Sequence, residues 1–273
     1  MSRAEEHARA IRETLRRDTR GRPASLVLNA PKIVELCDVW LSFETPVLRG
    51  VDLWAREGET LLVVGESGTG KSTLLKLILR LLTPDRGTVR VFGMEMPRLS
   101  FEQVLAVRRR IGMVFQYAAL FDSLTVYENV AYPLRENTKL LEPDIRHIVR
   151  ERLRFVDMNP DVVSNLLPGE LSGGMRKRVG IARAIATDPE LILYDEPTAG
   201  LDPLAVNTIT RLIRKLQVEL GVTSIVVTHD LRAGFRIASR VAMLRNGRIL
   251  FDGSPEDMVA ASDPYIEAFL RAS

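Results

Sequence analysis

Residues 65–72 read GESGTGKS, directly after the apolar run LLVV and directly before a leucine-rich segment. Glycines at 65, 68 and 70 followed by Lys71 and Ser72 have the spacing of a loop that cradles phosphates between a strand and a helix. Glycine reaches backbone conformations closed to other residues, so successive N–H groups can converge on phosphate oxygens at the helix N-terminus. The candidate nucleotide contacts are Gly65, Glu66, Ser67, Gly68, Thr69, Gly70, Lys71, Ser72 and Thr73. Lys71 would neutralise the β- and γ-phosphates, and Ser72 would offer its hydroxyl to Mg²⁺. A glycine-rich turn without a ligand is the alternative, disfavoured because strand, loop and helix follow in the required order.

The run LILYDEP at 191–197 ends in two adjacent acids. Neighbouring carboxylates at the carboxyl end of a buried strand are costly unless positive charge is bound there. A Mg²⁺-nucleotide supplies it: Asp195 would hold the metal through water and Glu196 would polarise an attacking water. An acidic pair alone is weak, and the phosphate loop is what gives it weight. His229, in VVTHD, is either a structural histidine or a hydrogen-bond donor to the γ-phosphate. Gln116, after MVF, is similarly open, its amide being able to meet both metal and attacking water.

In LSGGMRKR at 171–178, Ser172, Gly173 and Gly174 precede a basic run. This is a second helix start able to receive phosphate. One nucleotide does not need two cradles. The second is therefore either an ordinary capped helix start or a surface for a nucleotide held by another copy, which implies a head-to-tail homodimer.

The elements that must position these residues are legible in outline. Leu61–Val64, Leu191–Tyr194 and Ser224–Val227 are continuous apolar runs, as in parallel strands buried on both faces. Helices are expected after each, over Lys71–Leu82, Pro203–Leu220 and Arg232–Ser239. Segments 33–39, 47–53 and 87–93, bounded by turn residues, predict an antiparallel region. Ile145, Ile148, Val149, Leu153 and Val156 make one helical stripe behind Pro143, and Asn246-Gly247 marks a hairpin.

With its motifs in this order, the chain resembles the ATP-binding subunits of ABC transporters over about Ile33 to Gly253. The resemblance implies an α/β P-loop NTPase fold: a RecA-like parallel sheet core with an antiparallel β subdomain, plus an inserted helical subdomain at about 117–180. It assigns Gln116 to the Q-loop, LSGGM at 171–175 to the signature, Asp202 to the D-loop, His229 to the switch, and Phe43 to the aromatic that stacks on adenine. Met175 stands where the family commonly has Gln, and Gly200 where it often has Ala. The expected cofactors are ATP and Mg²⁺.

The segment FQYAALFDSLTVYENVAYPLRE at 115–136, with the Met-ended signature, is similar to the ATPases of Mla or MCE-type lipid transport systems. That likeness implies a membrane permease, an MCE-domain protein and a STAS-domain protein as partners, and a place on the cytoplasmic face of a bacterial inner membrane. Phe121, Leu124, Val126 and Tyr127 are then candidate permease contacts, or else core of the helical subdomain. The rivals are ATPases of amino-acid, methionine or lipoprotein transporters, and soluble ABC ATPases acting on ribosomes or DNA.

Composition narrows these classes. The 273 residues carry 38 Lys+Arg against 35 Asp+Glu. Residues 1–23 hold seven Arg and four acids, so the excess of +3 sits in this stretch and the remaining body is balanced. Bulk charge therefore gives no nucleic-acid signature. No apolar run approaches the ~20 residues of a membrane-spanning helix. The first residues show no signal-peptide core, and their acids argue against a transit peptide. The lone Cys37 reads as a buried small hydrophobe in a reducing compartment. The expected organisation is a charged arm at 1–31, an ATPase domain at 32–254 and a helical tail at 255–273.

Overall fold

The computed structural model describes residues 30–272. The predicted arm, with a short helix expected at Ala8–Leu15, lies outside the described residues apart from Ala30 and Pro31. In chain order the strands are β1 Lys32–Ser42, β2 Pro46–Arg56, β3 Thr60–Val64, β4 Arg86–Val91, β5 Met94–Glu95, β6 Ile111–Val114, β7 Leu191–Asp195, β8 Thr223–Thr228, β9 Arg240–Arg245 and β10 Arg248–Gly253. They form two sheets, β2-β1-β4-β5 and β10-β9-β3-β8-β7-β6. The first is antiparallel. In the second, β9, β3, β8, β7 and β6 run parallel, with β10 returning antiparallel on β9.

Every residue of β3 and of β8 is buried, the apolar centres Leu61–Val64 and Ile225–Val227 together with the flanking hydroxyl residues Thr60, Thr223, Ser224 and Thr228. β1 instead alternates, turning Val34, Leu36, Val39 and Leu41 inward. Cys37 is exposed, contrary to expectation. It follows inward-facing Leu36 and precedes Asp38, whose left-handed φ of 47° accompanies a shift of register in β1. The β9–β10 turn carries Asn246 and Gly247 at φ 49° and 75°, the pair of left-handed residues that a two-residue hairpin needs.

The helices are α1 Lys71–Ile78, α2 Phe101–Arg108, α3 Val126–Asn137, α4 Glu142–Phe155, α5 Pro160–Val163, α6 Gly173–Ala184, α7 Pro203–Leu220, α8 Leu231–Phe235, α9 Pro255–Ala260 and α10 Pro264–Ala272. α7 keeps its predicted span, between Asp202 as N-cap and Gly221 at φ 65° as C-cap. α1 stops four residues short of Leu82. Arg80 turns left-handed at φ 50°, and the Arg108 guanidinium takes the carbonyls of Leu79 and Arg80 at 2.8 and 3.1 Å. α8 is also shorter than predicted, because the N–H groups of both Ile237 and Ala238 fold back onto the Gly234 carbonyl.

Between β6 and β7, α3, α4 and α6 bury Val130, Leu134, Ile145, Val149, Leu153, Val179 and Ile181 in one cluster. Ile148 is only partly buried and Val156 follows the last turn of α4. Val126, a candidate for either a docking surface or the helical core, is fully buried in the same cluster. It is the first residue of α3, directly behind the Thr125–Glu128 capping box. Among the described residues no helix is long and apolar enough to cross a membrane.

Candidate active site

Gly65, Gly68 and Gly70 adopt φ of 154°, 80° and 101°. A Cβ on Gly65 would lie 2.3 Å from the Leu244 carbonyl oxygen, so this position is closed to any other residue. The β3–α1 loop wraps the Lys71 ammonium, which donates to the carbonyls of Gly65 and Glu66 at 2.9 Å each. Burial lowers the Lys71 pKa, opposed by the charges of Glu196 and Asp195. Ser72, one residue on, donates its hydroxyl to Asp195 Oδ1 at 2.8 Å. The acid at the end of β7 thus meets the first turn of α1.

Glu196 is set apart from its neighbour by a left-handed φ of 47°. Its Oε2 accepts from Thr228 Oγ1 at 2.9 Å and lies 3.0 Å from His229 Nδ1. The carboxylate is largely buried and the imidazole is exposed. A carboxylate with a polar partner on each side thus lies at the carboxyl ends of β7 and β8. The Gln116 carbonyl accepts a hydrogen bond from Lys177 Nζ, which also donates to the Glu196 carbonyl at 3.2 Å. Phe43, on the β1–β2 turn, is 62% exposed and free to stack on a planar ring.

Ser172, Gly173, Gly174 and Asp202 form a separate group. With Gly200, Leu201 and Ala205 they line an open cleft of about 360 Å³. Ser172 caps α6 through the Met175 N–H, and Asp202 caps α7 through the N–H groups of Leu204 and Ala205. The predicted residues therefore fall into two sets rather than one.

Three functional neighbours escape sequence reasoning. Thr228 ends β8 as part of an apolar run, without a motif of its own. Tyr265 arrives from α10, its hydroxyl donating to Glu66 Oε1 at 2.9 Å while the Arg245 guanidinium covers its ring. Lys177 lies inside the basic run 176–178, where charge alone suggests a solvated surface. It is 4% exposed and its pKa is pushed down to about 8 by burial, which Glu196 and Asp195 oppose. A signal does exist: Lys177 shares a helical stripe with the buried Ile181 and Ala184.

A phosphate loop at the end of the buried parallel strand β3, with acids closing β7 two places along the same sheet, defines a P-loop NTPase. The family model described as ABC transporter matches residues 48–199. A Haemophilus influenzae protein described as the intermembrane phospholipid transport system ATP-binding protein MlaF is 40% identical over 81% of this chain and 83% of its own length. The chain belongs to the ABC transporter family, as an ATP-binding and ATP-hydrolysing cassette. A Mycobacterium tuberculosis protein described as the probable ribonucleotide transport ATP-binding protein mkl is 38% identical over 81% of this chain, which spans only 61% of that relative. Among solved structures, the dimeric cassette MJ0796 in a post-hydrolysis state bound to ADP and Pi is 34% identical, with TM-score 0.75 over 81% of this chain and 98% of its own. Clostridium perfringens cbiO1, part of the transporter complex cbiONQ, is 29% identical, with TM-score 0.77 over 88% of this chain and 98% of its own.

Proposed function

We propose that this cassette powers movement of lipid, of the phospholipid class, between membranes, working as a head-to-tail homodimer on a membrane permease. The observation that carries its chemistry is the meeting of Ser72 with Asp195 beside the Glu196–Thr228–His229 group. The cargo rests on likeness to MlaF along most of both chains.

The Ser72 hydroxyl and Asp195 carboxylate are hard oxygen donors 2.8 Å apart, a set that suits Mg²⁺ sharing the phosphates of a nucleotide. Gln116 is the third candidate ligand. Held there, Mg²⁺ would supply Lewis-acid chemistry, drawing charge from the nucleotide's phosphates. Lys71 exchanges its two carbonyl contacts for phosphate oxygens, joined by the N–H groups of Gly65 to Thr73. Glu196 accepts the proton of the attacking water, and the neighbouring His229 donates to the γ-phosphate. Phe43 stacks on the base, which gives little base selectivity. Ser172, Gly173, Gly174 and the Asp202 loop of one copy close over the nucleotide of the other. Two helix starts on one chain, held in separate groups, support that arrangement.

The permease would sit against Phe121, Leu124 and Tyr127, of which Phe121 is exposed and the other two partly so. Val126 is withdrawn from that surface. The cassette then occupies the cytoplasmic face of the inner membrane, with MCE-domain and STAS-domain proteins completing the assembly and nucleic acid absent from it. The domain limits that go with this reading are an arm at 1–31, the ATPase at 32–254 and a tail at 255–273. The test is purification of the native complex from membranes, with bound lipid identified by mass spectrometry. Phospholipid with a permease supports the proposal. A complex carrying nucleotide cargo and no lipid overturns it in favour of the cargo named for the Mycobacterium relative.

A further inference from the structure

Helix α6 begins at the Ser172–Gly174 start and, one turn further on, sends Lys177 inward to the other group of site residues. Its ammonium donates to two carbonyls, those of Gln116 and Glu196. Both belong to irregular backbone. Glu196 itself holds φ 47°, and Ala118 and Ala119, just after Gln116, hold 60° and 46°. Conformations of this kind persist in non-glycine residues only where their surroundings over-determine them.

A second cation of α6 helps. Arg183 donates to the carbonyls of Ala119 and Ala118 at 2.7 and 2.8 Å, and Gly180 lets the same turn lie close against the helix. The two cations therefore fix residues 116–119 to α6, but of the two only Lys177 also reaches Glu196. A buried ammonium carries a desolvation cost that an apolar side chain on this stripe avoids. Packing alone does not account for it. What the ammonium adds is a rigid tie among three segments: the signature helix, the Gln116 turn and the backbone of the general base.

We propose that Lys177 is a positioning residue for ATP hydrolysis: it couples the seat of α6 to the backbone of Glu196 and Gln116. This rests on the two-copy reading above. There the start of α6 engages the nucleotide of the second copy, while Glu196 acts on the nucleotide of its own. Lys177 joins the two events, so the carboxylate is aligned only when α6 is seated by the partner's nucleotide.

The experiment measures ATP hydrolysis by the full chain against ATP concentration for the parent, K177M, K177R, R183M and E196Q, with thermal unfolding of each. K177M should lose roughly tenfold to a hundredfold in kcat, the scale of a small misplacement of a catalytic group. Its KM should stay within about threefold of the parent, as Lys177 does not touch the nucleotide. K177R keeps the donors and should regain most of kcat. R183M should unfold at lower temperature and lose much less kcat than K177M, because Arg183 holds the turn after Gln116 but has no link to Glu196. K177M within twofold of the parent kcat, or K177M and R183M losing kcat alike, overturns the proposal. Should K177M not fold, K177Q takes its place, since its shorter side chain cannot span both carbonyls, and a parental kcat there overturns the proposal equally. E196Q separates the two levels. If it hydrolyses ATP at the parent rate, the functional reading itself fails. If it is silent while K177M is parental, only the role of Lys177 is lost.

Discussion

The helix starts at α1 and α6 both present glycines and bare N–H groups, and they solve the same electrostatic problem in opposite ways. Gly70, before α1, is left-handed at φ 101° and offers no side-chain cap. Ser172, before α6, is extended and accepts the Met175 N–H at 3.3 Å. Gly65, Gly68 and Gly70 all have positive φ, whereas Gly173 and Gly174 do not. The first start is a loop that only glycine can build, closed around a lysine whose carbonyl contacts a phosphate would replace. The second is an ordinary capped helix, whose remaining donors the proposed pairing gives to the phosphate of another copy. A substitution at the first should damage nucleotide binding or the loop itself. At the second it should spare both and damage turnover.

The largest expected effect lies at the acid between them. E196Q removes the proton acceptor while leaving an oxygen for Thr228, so kcat should fall by at least about 100-fold, the lower end of what a general base supplies. Nucleotide affinity should hold, and size-exclusion chromatography with ATP should show a persistent dimer. Parental hydrolysis would remove Glu196 from the mechanism.

K71A comes next and tests the α1 start alone. A charge-assisted hydrogen bond is worth about 1.5–3 kcal/mol, so ATP affinity should weaken roughly tenfold to a hundredfold, read by fluorescent-nucleotide titration. Unchanged affinity would mean that the ammonium stays on the Gly65 and Glu66 carbonyls with nucleotide present.

A pair of alanines sharpens the comparison at the level of folding. G65A sets a Cβ 2.3 Å from a backbone oxygen that cannot move aside, and should cost about 1–3 kcal/mol. For a chain of this size that is several degrees in Tm. G173A meets only Leu201 Cδ2 at 3.5 Å, an ordinary contact, and exchanges glycine for a better helix former. Its Tm should equal or exceed the parent's while ATP turnover falls, because in the proposed pairing the new methyl would meet the partner's nucleotide. Equal loss of Tm in the two variants would erase the distinction.

How far the sequence reveals this depends on whether a residue acts through local pattern or through long-range contact. The phosphate loop, the β7 acids and the span of α7 are legible because each is a property of consecutive residues: glycine spacing, a buried run ending in charge, a cap and a left-handed stop. The capping box at Thr125 and Glu128 is equally local and sets where α3 begins, whereas the burial of Val126 depends on how α3 packs into the helical cluster. Lys177, Thr228 and Tyr265 are hidden for a different reason. Their roles come from partners 61, 32 and 199 residues away, which no window along the chain contains. Cys37 misleads because burial in β1 depends on register, and the shift at Asp38 alters it.

The smallest effect is the most diagnostic. S172A removes the cap of α6, a loss of about 1 kcal/mol, and should lower Tm by roughly 2–4 °C. Alanine retains the N–H groups of Gly173 and Gly174, so turnover should fall only severalfold. ATP affinity measured on the monomer, below the concentration at which copies associate, should match the parent, because in one copy Ser172 stands apart from Lys71 and Ser72. If S172A weakened monomer binding as K71A does, both helix starts would serve one nucleotide. The head-to-tail pairing of two copies would then lose its physical basis, and the route from α6 through Lys177 to Glu196 would report on the cassette's own ligand rather than its partner's.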